Sequence, residues 1–400
     1  MAEQGDRGVS TLVGAILLFG IILVVYASWQ AAVVPAENKQ VEFDAFQGAG
    51  EDVTELRNAM QRTAVTGVQT STVVQTGTSY PSRALFVNPP PASGTLATEP
   101  AGDVTLSNVE ATDGDVRDYW NGDDRSFDTQ RLVFRTDYNE LRTGSLGVDP
   151  SGATYLAADA TVMRDAQTLV SGNRITLVTV AGDYRDGGVT VAPAVEPVSV
   201  GTETISVRNT SGDFTMTVPT RLGQDAWNEI ADGQANITDA TVDEDDETVT
   251  LAFEGDETYQ LRLARVALRE PADPSVESPP GARYLTSPNR EPGPTVEGNP
   301  VPLTAVARDK FNNGVSDVDV EFTVESGNAN VVNPDGNSCT AATGGSTTVT
   351  AATDGSGETV ACLVPPNNAN NKRSVTVDAT IAGRSGDANR TSFNVTVFKK

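Results

Sequence analysis

The chain has 400 residues, more than one compact hydrophobic core normally sustains, so two or three domains are expected. It carries 54 Asp plus Glu against 28 Lys plus Arg, a formal net charge of −26, and no nucleic-acid partner is expected because phosphate binding needs a clustered excess of cations. It has no histidine and only two cysteines, which excludes Ser-His-Asp and Cys-His catalysis, His-ligated zinc, haem with an axial histidine and four-cysteine metal sites, and no cofactor is expected. A hydrophobic fraction of 38% with this charge also suits disorder, but alternating Val, Ile, Leu and Thr along most of the chain argues for folded β structure.

Residues 1–8 are polar, and residues 9–34 contain no ionisable side chain except Tyr26. As a helix the apolar run is about 39 Å long, enough to cross a hydrocarbon layer of about 30 Å. Tyr26 and Trp29 lie toward its outer end, where amphipathic aromatics sit at headgroup level, and Glu37, Glu42 and Asp44 follow Pro35. Arg7 alone precedes the run, a weak positive-inside signal that puts the amino terminus in the cytoplasm and the bulk of the chain outside. Val53, Leu56, Met60 and Ala64 then recur at helical spacing, predicting a short amphipathic helix that packs on the following domain or continues the membrane helix as a stalk.

Beyond residue 82 the pattern changes to short β-like runs at 84–87, 104–109, 131–135, 174–180, 204–207, 214–218, 248–253 and 259–267, separated by Gly, Asp, Asn and Pro. A further helix is predicted over 222–230, with Trp227 on its buried side. Residues 271–302 hold nine of the 22 prolines, a composition expected of an extended spacer. In the last hundred residues the alternation is strict: Val318, Val320, Phe322 and Val324 face one way and Asp319, Glu321 and Thr323 the other. Asp354-Gly355-Ser356-Gly357 reads as a hairpin turn between two such runs.

The expected fold class is therefore mainly β with an amino-terminal transmembrane helix, a β-rich central domain and a carboxy-terminal β-sandwich. Its divisions are a leader at 1–8, the membrane helix at 9–34, an amphipathic helical connection at 35–80, an acidic β-rich domain at 81–270, a proline-rich linker at 271–302 and the sandwich at 303–400. Most of the charge belongs to the central stretch, so the last domain is nearly neutral and is expected to make contacts at the tip of the spacer.

Three resemblances bear on function. Arg7-Gly8-Val9-Ser10, a charged residue and a small residue leading directly into the apolar run, resembles the class III signal of archaeal type IV pilins and archaellins. That resemblance implies a cut between Gly8 and Val9 and a helix kept for membrane anchoring and self-assembly. Bacterial pilins carry Glu at the fifth mature position, where this chain has Val13, although archaeal members often lack it. An uncleaved signal-anchor and a cleaved secretory signal are the competing readings. The apolar run, together with Asn88-Pro89-Pro90-Pro91, resembles uncharacterised haloarchaeal surface proteins, as does the acidic composition. The segments 304–327 and 353–364 resemble bacterial Ig-like domains of the invasin and intimin type, implying a spacer or adhesive module on a cell surface.

Candidate chemistry is sparse. Cys339 and Cys362, 23 residues apart, form either a disulfide permitted outside the membrane or two buried thiols. If the 354–357 turn pairs Thr353 with Glu358, Cys362 faces Val349 and Cys339 approaches from the preceding loop. Asn209, Asn236, Asn389 and Asn394 stand in Asn-x-Ser/Thr sequons. The acid clusters at 113–124 and 243–247 lack EF-hand spacing and are solvated turns or weak cation sites. The expected role is a membrane-anchored, outward-facing structural or adhesive protein without catalysis, its partners the membrane, copies of itself, and a cell-surface or cell-wall protein or glycan. The alternatives are a carbohydrate-binding module, for which Tyr119-Trp120 is the local candidate, and a carboxylate-based glycoside hydrolase.

Overall fold

The computed structural model describes residues 6–83, 88–210, 212–271, 277–334, 338–340, 342–366 and 372–400. The β-like run at 84–87 lies outside them.

One helix, α1 (Asp6–Thr66), carries both the apolar run and the amphipathic stripe, with Pro35 inside it. At 61 residues it is about 92 Å long. Of the two readings of the amphipathic stripe, it continues the apolar helix through Pro35 and also packs on the body, with Val34, Asn38, Glu42, Phe46, Ala49, Val53, Leu56 and Met60 all buried. They recur every three or four residues, so one continuous face is held against the body from Val34 onward. Helix ends at Thr66, and the chain to residue 80 continues as non-helical backbone along the sheets.

Two sheets form the central body. The first runs in spatial order β1 (Thr70–Ser71), β11 (Ala194–Ser199), β16 (Tyr259–Arg269), β12 (Ile205–Asn209) and β3 (Val109–Ala111). Along it, β9 (Arg174–Ala181) lies parallel to β16 and β8 (Val170–Ser171) pairs with β9. The second runs β14 (Ile237–Asp243), β15 (Thr248–Phe253), β13 (Thr215–Pro219), β2 (Ser93–Ser107), β4 (Arg125–Asp137), β5 (Ser145–Val148), β6 (Thr154–Ala157) and β7 (Thr161–Asp165), with β10 (Arg185–Gly188) on β2. Two short helices accompany them, α2 (Gly114–Arg117) and α3 (Gln224–Asp232), the latter burying Trp227 as its spacing predicts. One core cluster includes Leu106, Trp120, Phe127, Leu177, Phe214 and Leu261. The other places Phe46, Val53, Leu56 and Met60 of α1 against Leu96, Phe134, Val195 and Val266.

The carboxy-terminal unit is an Ig-like sandwich. A sheet β17 (Tyr284–Thr286), β19 (Val301–Arg308), β23 (Glu358–Val364), β21 (Asn330–Val332) faces a sheet β18 (Thr295–Val296), β25 (Arg390–Phe398), β24 (Arg373–Ile381), β20 (Asp319–Ser326), β22 (Thr348–Ala352). Val320 and Phe322 point into its core, as the alternation requires. Two expectations change here. Residues 284–286 and 295–296 of the proline-rich stretch are strands of these sheets: Tyr284 pairs with Arg308, and Thr295 with Val397. Proline tolerates such edge positions, where a missing N–H costs no ladder bond. The 354–357 turn does reverse the chain, with Asp354 Oδ1 accepting from the Ser356 and Glu358 amides, but it crosses between sheets. β22 pairs with β20 and β23 with β19, so Cys362 stands opposite Pro302 and Val332, not Val349.

The sandwich does not stand off on a spacer. Tyr284 stacks on Tyr119 of the central body with centroids 4.7 Å apart, and Phe311 meets Phe127 at 5.1 Å. Around these rings the buried Asp309 accepts from Ser199 Oγ at 2.6 Å, and Asn313 donates to Ser199 Oγ and the Leu263 carbonyl. The Asp115 carboxylate accepts from the Ser287 amide and Thr391 Oγ1 and meets Arg290 at 2.8 Å. Lys310 pairs with Asp128 at 3.0 Å and Arg308 with Glu203 at 2.6 Å. Burial raises both Asp115 and Asp309 above the ordinary carboxylate range, as expected of acids enclosed in a seam.

Candidate functional site

The feature that sets this chain apart is the division of α1. Its large apolar side chains from Leu12 to Val25 are exposed, between 49% and 66%, while in its second half one face is buried against the body. The helix is long and apolar enough to cross a membrane. Trp29 is half exposed just below the point where packing begins at Val34. Exposed apolar surface of this extent and regularity is unfavourable in water and calls for lipid or another protein surface.

The junction is held tightly. Arg83 reaches Glu37 at 2.8 Å and Asn38 at 3.0 Å. One turn further on, Glu42 is fully buried, and its carboxylate accepts from the backbone amides of Asn139, Glu140 and Leu141 and from the Tyr80 hydroxyl. Successive amides converging on one anion make a nest that replaces the water lost on burial. Burial, with the Glu42 hydrogen bond second, pushes Tyr80 up to about 12. Farther along the helix, Thr54 donates to Asp165 at 2.8 Å and Arg57 to the Gly152 carbonyl at 3.2 Å. Nothing in the sequence around Glu42 marks it chemically. Its phase does: it is four residues from both Asn38 and Phe46, on the stripe that starts at Val34.

Of the residues singled out in sequence, Gly8 and Val9 lie in the first turns of α1. Cys339 and Cys362 form a disulfide, Cα atoms 5.5 Å apart. The four sequons differ. Asn394 is exposed on β25 and its Oδ1 accepts from Thr376 at 3.1 Å. Asn389 donates to the Ser385 carbonyl, and the hydroxyl of its sequon partner Thr391 is buried against Asp115. Asn209 and Asn236 are half-buried. Within the acid clusters, Asp113 caps α2, Asp243 accepts from the Asp245 and Asp246 amides, and Glu247 pairs with Arg131 and Arg221. Tyr119-Trp120 is no sugar platform: Trp120 is wholly buried and packs on Phe127, while Tyr119 is covered by Tyr284. The residue that hides it, Tyr284, comes from the stretch read as a spacer.

No family model matches the chain. An uncharacterised protein of Archaeoglobus fulgidus is 26% identical over 208 residues, covering 52% of this chain and 35% of its own length. The chain thus spans about a third of that relative. Among solved structures it is similar to domains 4 and 5 of the S-layer protein SbsC (10% identity, 38% of this chain and 64% of that one, TM-score 0.21). It is also similar to the Yersinia pseudotuberculosis adhesin InvE (16% identity, 51% and 54%, TM-score 0.20). The third is invasin, described as a bacterial integrin-binding protein (13% identity, 82% and 60%, TM-score 0.20). These are loose likenesses among β structures, and the fold assignment rests on the strand order given above.

Proposed function

We propose that this is a membrane-anchored, outward-facing surface protein whose role is structural or adhesive and not catalytic. The single observation that carries the reading is the division of α1 into an exposed apolar half and a half built into a β-rich body. Residues 9–34 insert in lipid, or pack against the same segment of other copies in a filament, where close van der Waals packing replaces hydrophobic exclusion. Helix–body contacts begin at Val34, so the body sits close to the membrane plane and turns with the helix. The docked sandwich adds to the head, and the net charge of −26 keeps its surface hydrated, with its self-repulsion screened in strong salt, where the Debye length shrinks to about 3 Å at molar concentration. The disulfide suits an oxidising exterior. Processing between Gly8 and Val9 belongs to the same proposal. Intact-mass and amino-terminal mass spectrometry of the protein recovered from membranes tests it: a mature start at Val9 supports pilin-type processing, an intact leader supports a simple anchor, and a start near Ala31 in soluble material overturns the anchoring.

A further inference from the structure

The outer face of the first sheet is covered by α1 only as far as that helix extends. On β16, Tyr259, Leu261 and Leu263 point into the core, so Gln260 and Arg262 point the other way. On the parallel neighbour β9, Ile175 and Leu177 point inward, and Arg174 and Thr176 outward. The register sets Gln260 beside Arg174 and Arg262 beside Thr176, which brings the two arginines onto one face at a diagonal. With Thr204 these four side chains line a cleft of about 320 Å³. Next to it lies a second hollow of about 290 Å³ that shares Thr176 and Arg262 and continues along Gln61, Gln130, Val178 and Val180.

Arg174 and Arg262 line the same cleft, so it carries two positive charges that an anion bound there would meet together. Among the described residues neither guanidinium has a hydrogen bond or ion pair, and the Arg262 Nε is buried without a partner. Carboxylates close to the cleft are engaged elsewhere: Glu203 is turned to Arg308 at 2.6 Å, and Asp149, in the adjoining hollow, accepts from Thr220 Oγ1 and the Arg221 amide. In a chain this rich in acid, an arginine pair left without one is a site with its own demand. Guanidinium forks suit the planar or tetrahedral oxygens of carboxylate and sulfate, threonine and glutamine suit hydroxyls, and the valine floor suits the less polar face of a sugar ring.

We propose that this cleft binds an acidic saccharide, its carboxylate or sulfate held between Arg174 and Arg262 and its hydroxyls along Thr176, Thr204 and the glutamines of the adjoining hollow. The proposal deepens the outward-facing reading by naming the class of surface partner and rests on it for biological access. Calorimetric titration of the full chain in detergent micelles tests it with three probes: an oligogalacturonate, a sulfated galactan oligosaccharide and a neutral malto-oligosaccharide. Binding of one or both acidic probes is expected, the stronger identifying the anion, with the neutral one weaker by at least about tenfold, the effect of one charge-assisted contact. Arg174→Gln, at the exposed rim where folding is not at stake, should weaken binding by about tenfold, and Arg262→Gln by at least as much. Arg373→Gln, on the distant sandwich, should leave it unchanged. No binding of either acidic probe, equal binding of the neutral one, or equal loss with Arg373→Gln would overturn the site. Because the titration uses purified protein, such a failure is separate from failure of the membrane placement, which mass spectrometry judges.

Discussion

Glu42 offers the sharpest test of how the helix is joined to the body. Its carboxylate takes hydrogen bonds from three consecutive backbone amides and from Tyr80, with no water-exposed surface. Glu42→Ala leaves these donors facing a small cavity. Each stranded buried donor costs about 1–3 kcal/mol, and water entering the vacated space restores part of it, so a net loss of about 3–5 kcal/mol is expected. Glu42→Gln keeps one acceptor oxygen but turns an NH₂ group toward amides that also donate, and should cost about 2–3 kcal/mol. Guanidinium unfolding of the full chain in micelles, followed by fluorescence, gives the number, since Trp120 and Trp227 are both buried in the body. A loss below about 1 kcal/mol for the alanine variant would refute the nest as the clamp between helix and body.

Three further outcomes follow from particular residues. Tyr284→Ala removes the ring that joins the sandwich to Tyr119 and should cost about 3–5 kcal/mol while enlarging the particle in small-angle scattering; unchanged melting and dimensions would show that the seam is not held there. Burial pushes Asp149 up to about 6 against the pull of its Thr220 and Arg221 hydrogen bonds. Its folded value lies above the unfolded one, so its contribution is fully present below about pH 4 and falls by about 3 kcal/mol as pH rises to about 6. Melting at constant salt should show that slope, and Asp149→Asn should flatten it. Asn394 should be the sequon that carries glycan, because Asn389 is tied to Ser385 and its Thr391 is buried; glycopeptide mass spectrometry showing Asn389 modified and Asn394 bare would contradict this.

The legible parts of the sequence are those fixed by local periodicity. The 3.6-residue recurrence of Val53, Leu56, Met60 and Ala64 and the two-residue alternation of Val318 to Val324 each name a buried face, and both faces are buried. What sequence could not carry is pairing between distant segments. Tyr284, Leu285 and Thr286 are three strand residues among prolines, and only their ladder with β19 makes them part of a sheet. The Asp354 to Gly357 turn has the same residues whether it closes a hairpin or crosses between sheets, and the choice is made by β19, about fifty residues upstream. Trp120, flanked by Asp118 and Asn121, looks exposed until Phe127 and the docked sandwich cover its surroundings. The arginine cleft was equally invisible, since Arg174 and Arg262 become neighbours only through a parallel strand pair.

The central claim is that residues 9–34 hold the chain in a membrane with the body outside. Intact cells treated with a protease that cannot cross the membrane, followed by mass spectrometry of what remains, address it directly. The account predicts that peptides from the body and the sandwich disappear while a membrane-bound fragment containing the apolar half of α1 survives. Full protection of the body until the cells are lysed, or recovery of the whole chain from the soluble cytoplasm, would contradict it.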